Sequence, residues 1–135
     1  MDNTFTDSEK LYRTVFPEFY REMYWRKDGT ISSAAFMDSE GLSVERGDFR
    51  SDEDVIREMQ EFFRGCIVSL TVEQCKNVDA VIRYMPTKRS KYHSEIHGSD
   101  EKKLLNPSQR KKLASVAKME YYENNKMIFY VNIKK

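Results

Sequence analysis

Both histidines of this chain lie within Tyr92-His-Ser-Glu-Ile-His-Gly98, with a glutamate midway between them. Side chains alternate across a strand, so an extended segment here would project His93, Glu95 and His97 from one face. Three groups able to move protons or bind a metal would then share one surface. Two imidazoles and a carboxylate suit zinc, manganese or iron. The helical metalloprotease pattern is His-Glu-x-x-His, however, and the spacing here is His-x-Glu-x-His. Further ligands would have to be carboxylate, thiolate or water, and no metal is assigned. Acid–base chemistry asks less of the segment. Histidine titrates near neutral pH, so His93 could act as general acid or base with Glu95 orienting or polarising it. The competing role is an ordinary polar strand face whose groups hydrogen-bond to their neighbours.

Other polar residues could join this site. Ser32, Ser33 and Ser43 fall in or beside a loop, and a hydroxyl there can donate to a phosphate oxygen. Arg13, Arg46 and Arg50 could supply the bidentate cation. No Gly-x-Ser-x-Gly elbow, glycine-rich phosphate loop, Walker motif or dinucleotide fingerprint occurs. Lys88-Arg-Ser-Lys91, Lys102-Lys103 and Arg110-Lys-Lys112 flank the histidine segment, and Tyr92 offers a stacking surface beside the first run. Together they could hold a nucleotide or RNA. In ordinary proteins such runs are more often solvated faces, and serines more often cap turns.

The elements that must position these residues follow from the pattern. Residues 8–16 suit a short strand with Tyr12, Thr14 and Phe16 alternating, ended by Pro17. Pro17 can open a helix to about Arg26, with Phe16, Tyr20, Met23 and Tyr24 as its stripe. Loop and strand follow over 30–50, with Leu42-Ser-Val-Glu-Arg46 alternating. The clearest helix spans 52–64, capped by Ser51, with acidic residues at its first turn and Val55, Ile56, Met59, Phe62 and Phe63 on one face. Cys66-Ile-Val-Ser-Leu70 reads as a central strand, and Thr71-x-x-Gln74 as the cap of a single turn. Val78 to Met85 alternates, and residues 87–91 form a basic loop before the histidine strand. Asn106-Pro-Ser-Gln109 opens a helix to about Glu120 that buries Leu113, Val116 and Ala117. Lys126 to Lys134 reads as a strand, a candidate homodimer edge guarded by lysines.

This order implies a single α+β domain over 1–135, a mixed, mainly antiparallel sheet with about three helices packed on it. The first βαβ portions could equally be parallel. Length allows one real core. A net charge of +1 removes the simplest argument for nucleic-acid binding, a strong overall basic field. No apolar run reaches the ~20 residues that cross a bilayer, and the acidic N-terminus is unlike a signal peptide. The expected location is the cytoplasm, where Cys66 and Cys75 would be reduced thiols.

Ser32-Ser-Ala-Ala-Phe36, Leu42-Ser-Val44, Tyr92-His-x-Glu-Ile-x-Gly98 and Lys112-Leu-Ala114 together resemble a family of small uncharacterised bacterial proteins, over residues 30–118. The resemblance carries no activity. It points to His93, Glu95 and Gly98 more than to His97. A fainter resemblance, to ADP-ribosyltransferase-like enzymes that use NAD, would place Arg13, Ser33 and Glu95 around one cleft, without the Ser-Thr-Ser pattern. Three functions follow as expectations. The first is a site for an anionic ligand built from Ser33, Ser43, Arg46, His93 and Glu95. The second is a non-catalytic interaction module, working with a neighbouring gene product in a bacterial conflict or defence system. The third is the NAD-using transferase.

Overall fold

The structure is a computed structural model and describes residues 1–123. The strand expected over 126–134 lies outside the described residues. Six strands form one antiparallel sheet: β1 (Lys10–Val15), β2 (Leu42–Arg46), β3 (Cys66–Thr71), β4 (Val81–Tyr84), β5 (His93–His97) and β6 (Lys118–Tyr121). Their order across the sheet is β4-β5-β2-β1-β3-β6, and every neighbouring pair is antiparallel. With helices α1 (Asp52–Phe62), α2 (Val72–Asn77) and α3 (Pro107–Val116) this is an α+β domain.

Strand registers sort the side chains onto two faces. Leu11, Val15, Leu42, Val44, Cys66, Val68, Leu70 and Ile96 share the apolar face and form the main core. Buried Leu113 of α3, Val72 and Cys75 of α2, and Ala35 and Phe36 of a 3-10 turn (Ser33–Phe36) complete that core. Burial pushes the Cys75 thiol up to about 12 and the Cys66 thiol to about 11, so both stay protonated at neutral pH.

The opposite face is only half covered. α1 lies over β1 and β3, where Val55 and Met59 pack on Tyr12 and Ile67. Its start follows the sequence, since Ser51 Oγ accepts from Asp54 N at 3.1 Å. The Tyr12 hydroxyl donates to Asp52, and Lys10 Nζ lies 3.2 Å from the same carboxylate, which ties the first turn of α1 to β1. Among the described residues, no helix lies above the β2–β5–β4 half of this face.

Three expectations fail for identifiable reasons. The helix expected from Pro17 is a set of turns with one 3-10 segment at Glu22–Tyr24, and Met23 is exposed. The Trp25 indole instead donates to Phe16 O, so burial of Trp25, not a helical stripe, organises this segment. Phe62 and Phe63 are 52% and 51% exposed because α1 ends at Phe62, beyond the residues that contact the sheet. The last helix stops at Val116, which is exposed, and Lys118–Tyr121 pairs with β3 as an edge-side strand.

Candidate functional site

β5 forms as its sequence predicts, and its register fixes what surrounds each polar residue. Ser94 and Ile96 point to the apolar face, so His93, Glu95 and His97 share the half-open face. There Glu45 lies opposite His93, Ser43 and Arg83 flank Glu95, and Val81 lies opposite His97.

The three groups do not act as one cluster. Glu95 pairs with His97, not with His93: His97 Nε2 lies 2.8 Å from Glu95 Oε1, and the two side chains are 10% and 15% exposed. The pair is roofed by Gly41, which takes φ +98° at the end of the Asp38–Gly41 turn. A Cβ on Gly41 would fall 2.8 Å from both Glu95 Oε1 and His97 Nε2. Gly98, next along the chain, is equally constrained, since a Cβ there would lie 2.3 Å from Leu104 O. Gln109 Nε2 holds this end of β5 by donating to Gly98 O and Val78 O. Among the described residues, no group of three or more His, Cys, Asp or Glu side chains is arranged to hold a metal ion.

His93 sits in a different environment. Its Nδ1 lies 2.8 Å from Met85 O. A carbonyl oxygen only accepts, so Nδ1 must carry a proton in this contact. The neutral ring then keeps its lone pair on Nε2, as a general base requires.

His93 lines a groove of about 1170 Å³ on the half-covered face. Tyr12, Thr14, Ser43 and Glu45 border it along the sheet. The last turns of α1 and Arg64 form one wall, and the β4–β5 loop, Thr87 to Tyr92, forms the other. That loop is pinned in place. Ser90 Oγ donates to Glu45 Oε1 at 2.8 Å, Thr87 N to Ser90 O at 2.9 Å, and Tyr84 Oη to Lys91 O at 2.6 Å. Lys88, Arg89 and Lys91 are all exposed, and none forms an ion pair among the described residues. Arg89 lies 5.3 Å from the ring centroids of both Phe62 and Phe63, bridging the two walls.

Several expected ligand contacts are redirected. Arg46 is on the apolar face, 2% exposed, with Nε and Nη2 each 2.9 Å from the Glu9 carboxylate. Its remaining donors go to Asp2 O and Thr4 O, and its guanidinium packs 4.0 Å from the Phe5 ring centroid. It therefore clamps the N-terminal segment and is not free to bind an anion. Arg13 sits opposite Val68 on the apolar face, donating to Ala35 O and Ser43 O. Ser33 is exposed in the 3-10 turn packed on that same face, away from His93. Arg13 and Ser33 thus lie across the sheet from Glu95, and the three do not surround one cleft. Tyr92 borders the groove, but Arg50 occupies its ring at 3.7 Å from the centroid. The basic runs do not meet either, because Arg110–Lys112 belong to α3 in the layer on the apolar face.

Of the expected site residues, Arg13, Ser43, Tyr92 and His93 line the groove, but the Arg13 guanidinium is spent on Ala35 O and Ser43 O and the Tyr92 ring on Arg50. Phe62 and Phe63 are the groove residues that sequence reasoning assigned to the core instead, whereas Arg89 belongs to the basic run it singled out. The available signal was position: Phe62 is the last residue of α1 and Phe63 its C-cap, just before the Gly65 stop and past the turns that carry Val55 and Met59. No family model, curated protein or solved structure matches the chain.

Proposed function

We propose that the groove between α1 and the β4–β5 loop binds a nucleotide-like anionic ligand, with His93 as the group that exchanges a proton with it. The carrying observation is the juxtaposition along one groove of His93 with Lys88, Arg89 and Lys91, which form no ion pair among the described residues. Ser43 adds a hydroxyl donor on the sheet. His93 Nε2 is the acceptor its hydrogen bond to Met85 O leaves available. Glu95 is committed to His97 and is given no part in the proton exchange.

A thermal-shift series with nucleoside mono-, di- and triphosphates tests this. A ligand that binds only the native state raises stability by about 2.7 kcal/mol at 100 times its Kd. Wild type is expected to shift, and His93→Ala to lose most of the shift while folding normally. Unchanged melting of the wild type with every nucleotide would overturn the reading.

A second reading has its own observation. Phe62 and Phe63 are half exposed at the rim, as a site for a protein partner would be. A non-catalytic interaction module would retain its partner after His93→Ala and lose it after Phe63→Ala.

A further inference from the structure

We infer that the occupant of this groove is a single-stranded nucleic acid rather than a mononucleotide. This rests on the anionic-ligand reading above and sharpens it.

Size is the first argument. Small-molecule pockets hold roughly 300–1,000 Å³, and the groove encloses about 1170 Å³. It is also an open trough, walled on two sides by α1 and the loop. A mononucleotide would leave much of it filled with water.

The distribution of chemistry is the second. A mononucleotide site concentrates its phosphate contacts, commonly on backbone N–H groups of a glycine-rich turn or helix start. Here the cations are strung along the loop at Lys88, Arg89 and Lys91, and none is neutralised by a carboxylate among the described residues. A run of side-chain cations suits a run of phosphates. The aromatic groups stand on the facing wall, where Phe62 and Phe63 expose about half their surface. Phenylalanine offers a base its ring face and no hydrogen bond, so it stacks on any base. Arg89 rests over both rings. That contact orders the guanidinium without cancelling its charge, and leaves a preorganised cation between the stacking wall and the phosphate wall.

Base pairing supplies the third. In a duplex the base faces are stacked internally and cannot reach Phe62 or Phe63. A strand with unpaired bases can place bases on one wall and phosphates on the other. The acidic residues on the same surface, Glu58 and Glu61 on α1, restrict the phosphates to the loop side.

The test uses the full chain and fluorescein-labelled oligouridylate and oligothymidylate, read by anisotropy against a duplex of equal length, uridine monophosphate and inorganic phosphate. Both single strands are expected to bind at least tenfold more tightly than the duplex or the mononucleotide. Three phosphate contacts predict a slope of log K against log salt of about −2, at ~0.7 per contact. Arg89→Ala should reduce that slope by about 0.7. Phe62→Ala and Phe63→Ala should weaken binding about fivefold or more with the slope unchanged, as loss of a stacked base does. Equal affinity for duplex and single strand, or for mononucleotide and oligomer, would overturn this inference and leave the anionic-ligand reading standing. Absence of binding to every probe would overturn both. Binding unaffected by Arg89→Ala and by both phenylalanine variants would place the nucleic acid elsewhere and overturn the inference as well.

Discussion

The two histidines of β5 stand four residues apart on one face of one strand, yet they occupy opposite kinds of environment. His97 is 8% exposed, fastened to Glu95 and covered by the Gly41 turn. His93 is partly exposed, has its Nδ1 on the Met85 carbonyl, and faces a groove whose loop wall carries Lys88, Arg89 and Lys91, unpaired among the described residues. Residue type and strand parity are the same at both ends. The loops laid over each end make the difference. At the Gly98 end, the Asp38–Gly41 turn closes over the Glu95–His97 pair. At the Tyr92 end, the β4–β5 loop and the end of α1 stand apart. A polar residue under the closed end contributes structure; one at the open end is available to a ligand.

The sharpest way to break this contrast is to open the closed end. Gly41→Ala combines a left-handed backbone with a Cβ overlapping Glu95 and His97. Positive φ and overpacking each cost about 1–3 kcal/mol, so a loss of about 3 kcal/mol or more is expected in denaturant unfolding. A loss under about 1 kcal/mol would mean the turn is not seated on the pair.

His97→Ala should come next. It strips the Glu95 carboxylate of its partner in a site only 15% exposed, and a buried charged group left unpaired costs about 2 kcal/mol. The double variant with Glu95→Ala should recover part of that loss, which a purely steric role for His97 would not allow.

Tyr12→Phe probes the α1 anchor that sets the wall of the open end. The hydrogen bond from Tyr12, then that from Lys10, lowers the Asp52 carboxyl below its usual range. A lowered carboxyl contributes stability above its unfolded value near 3.8 and loses it as pH falls through the folded value. Asp52 is half exposed, which screens the effect, so the variant should cost about 1 kcal/mol at neutral pH. The gap from wild type should close as pH falls through the lowered Asp52 titration. A gap that stays constant across that range would detach Asp52 from the effect.

His93→Ala should have the smallest effect on stability, within about 0.5 kcal/mol, as for a surface position, while abolishing the nucleotide-induced shift. If its stability cost matched that of His97→Ala, the two ends would be equally structural and the groove would lose its functional claim.

The reading of the sequence succeeded where local chemistry suffices. Ser51 caps α1, and the boxes at Thr71–Gln74 and Asn106–Gln109 both close, because caps are satisfied within a few residues. The one-face placement of His93, Glu95 and His97 followed from strand alternation alone. The failures were non-local. Arg46 looked like an anion ligand because nothing nearby in sequence reveals Glu9, 37 residues away. Glu95 was paired with the wrong histidine because both are two residues distant, and only the Gly41 turn makes the His97 side the closed one.

The sequence by itself determined that this is an α+β domain, where most of its strands and helices begin, and which β5 residues share a face. Those follow from capping, hydrophobic period and pleat, all of which act over a few residues. Tertiary structure decided which of those residues is accessible, which cations are unpaired among the described residues, and that Phe62 and Phe63 meet Arg89 across a groove. These depend on the order β4-β5-β2-β1-β3-β6, which brings together segments dozens of residues apart and, among the described residues, leaves half of one sheet face without a helix.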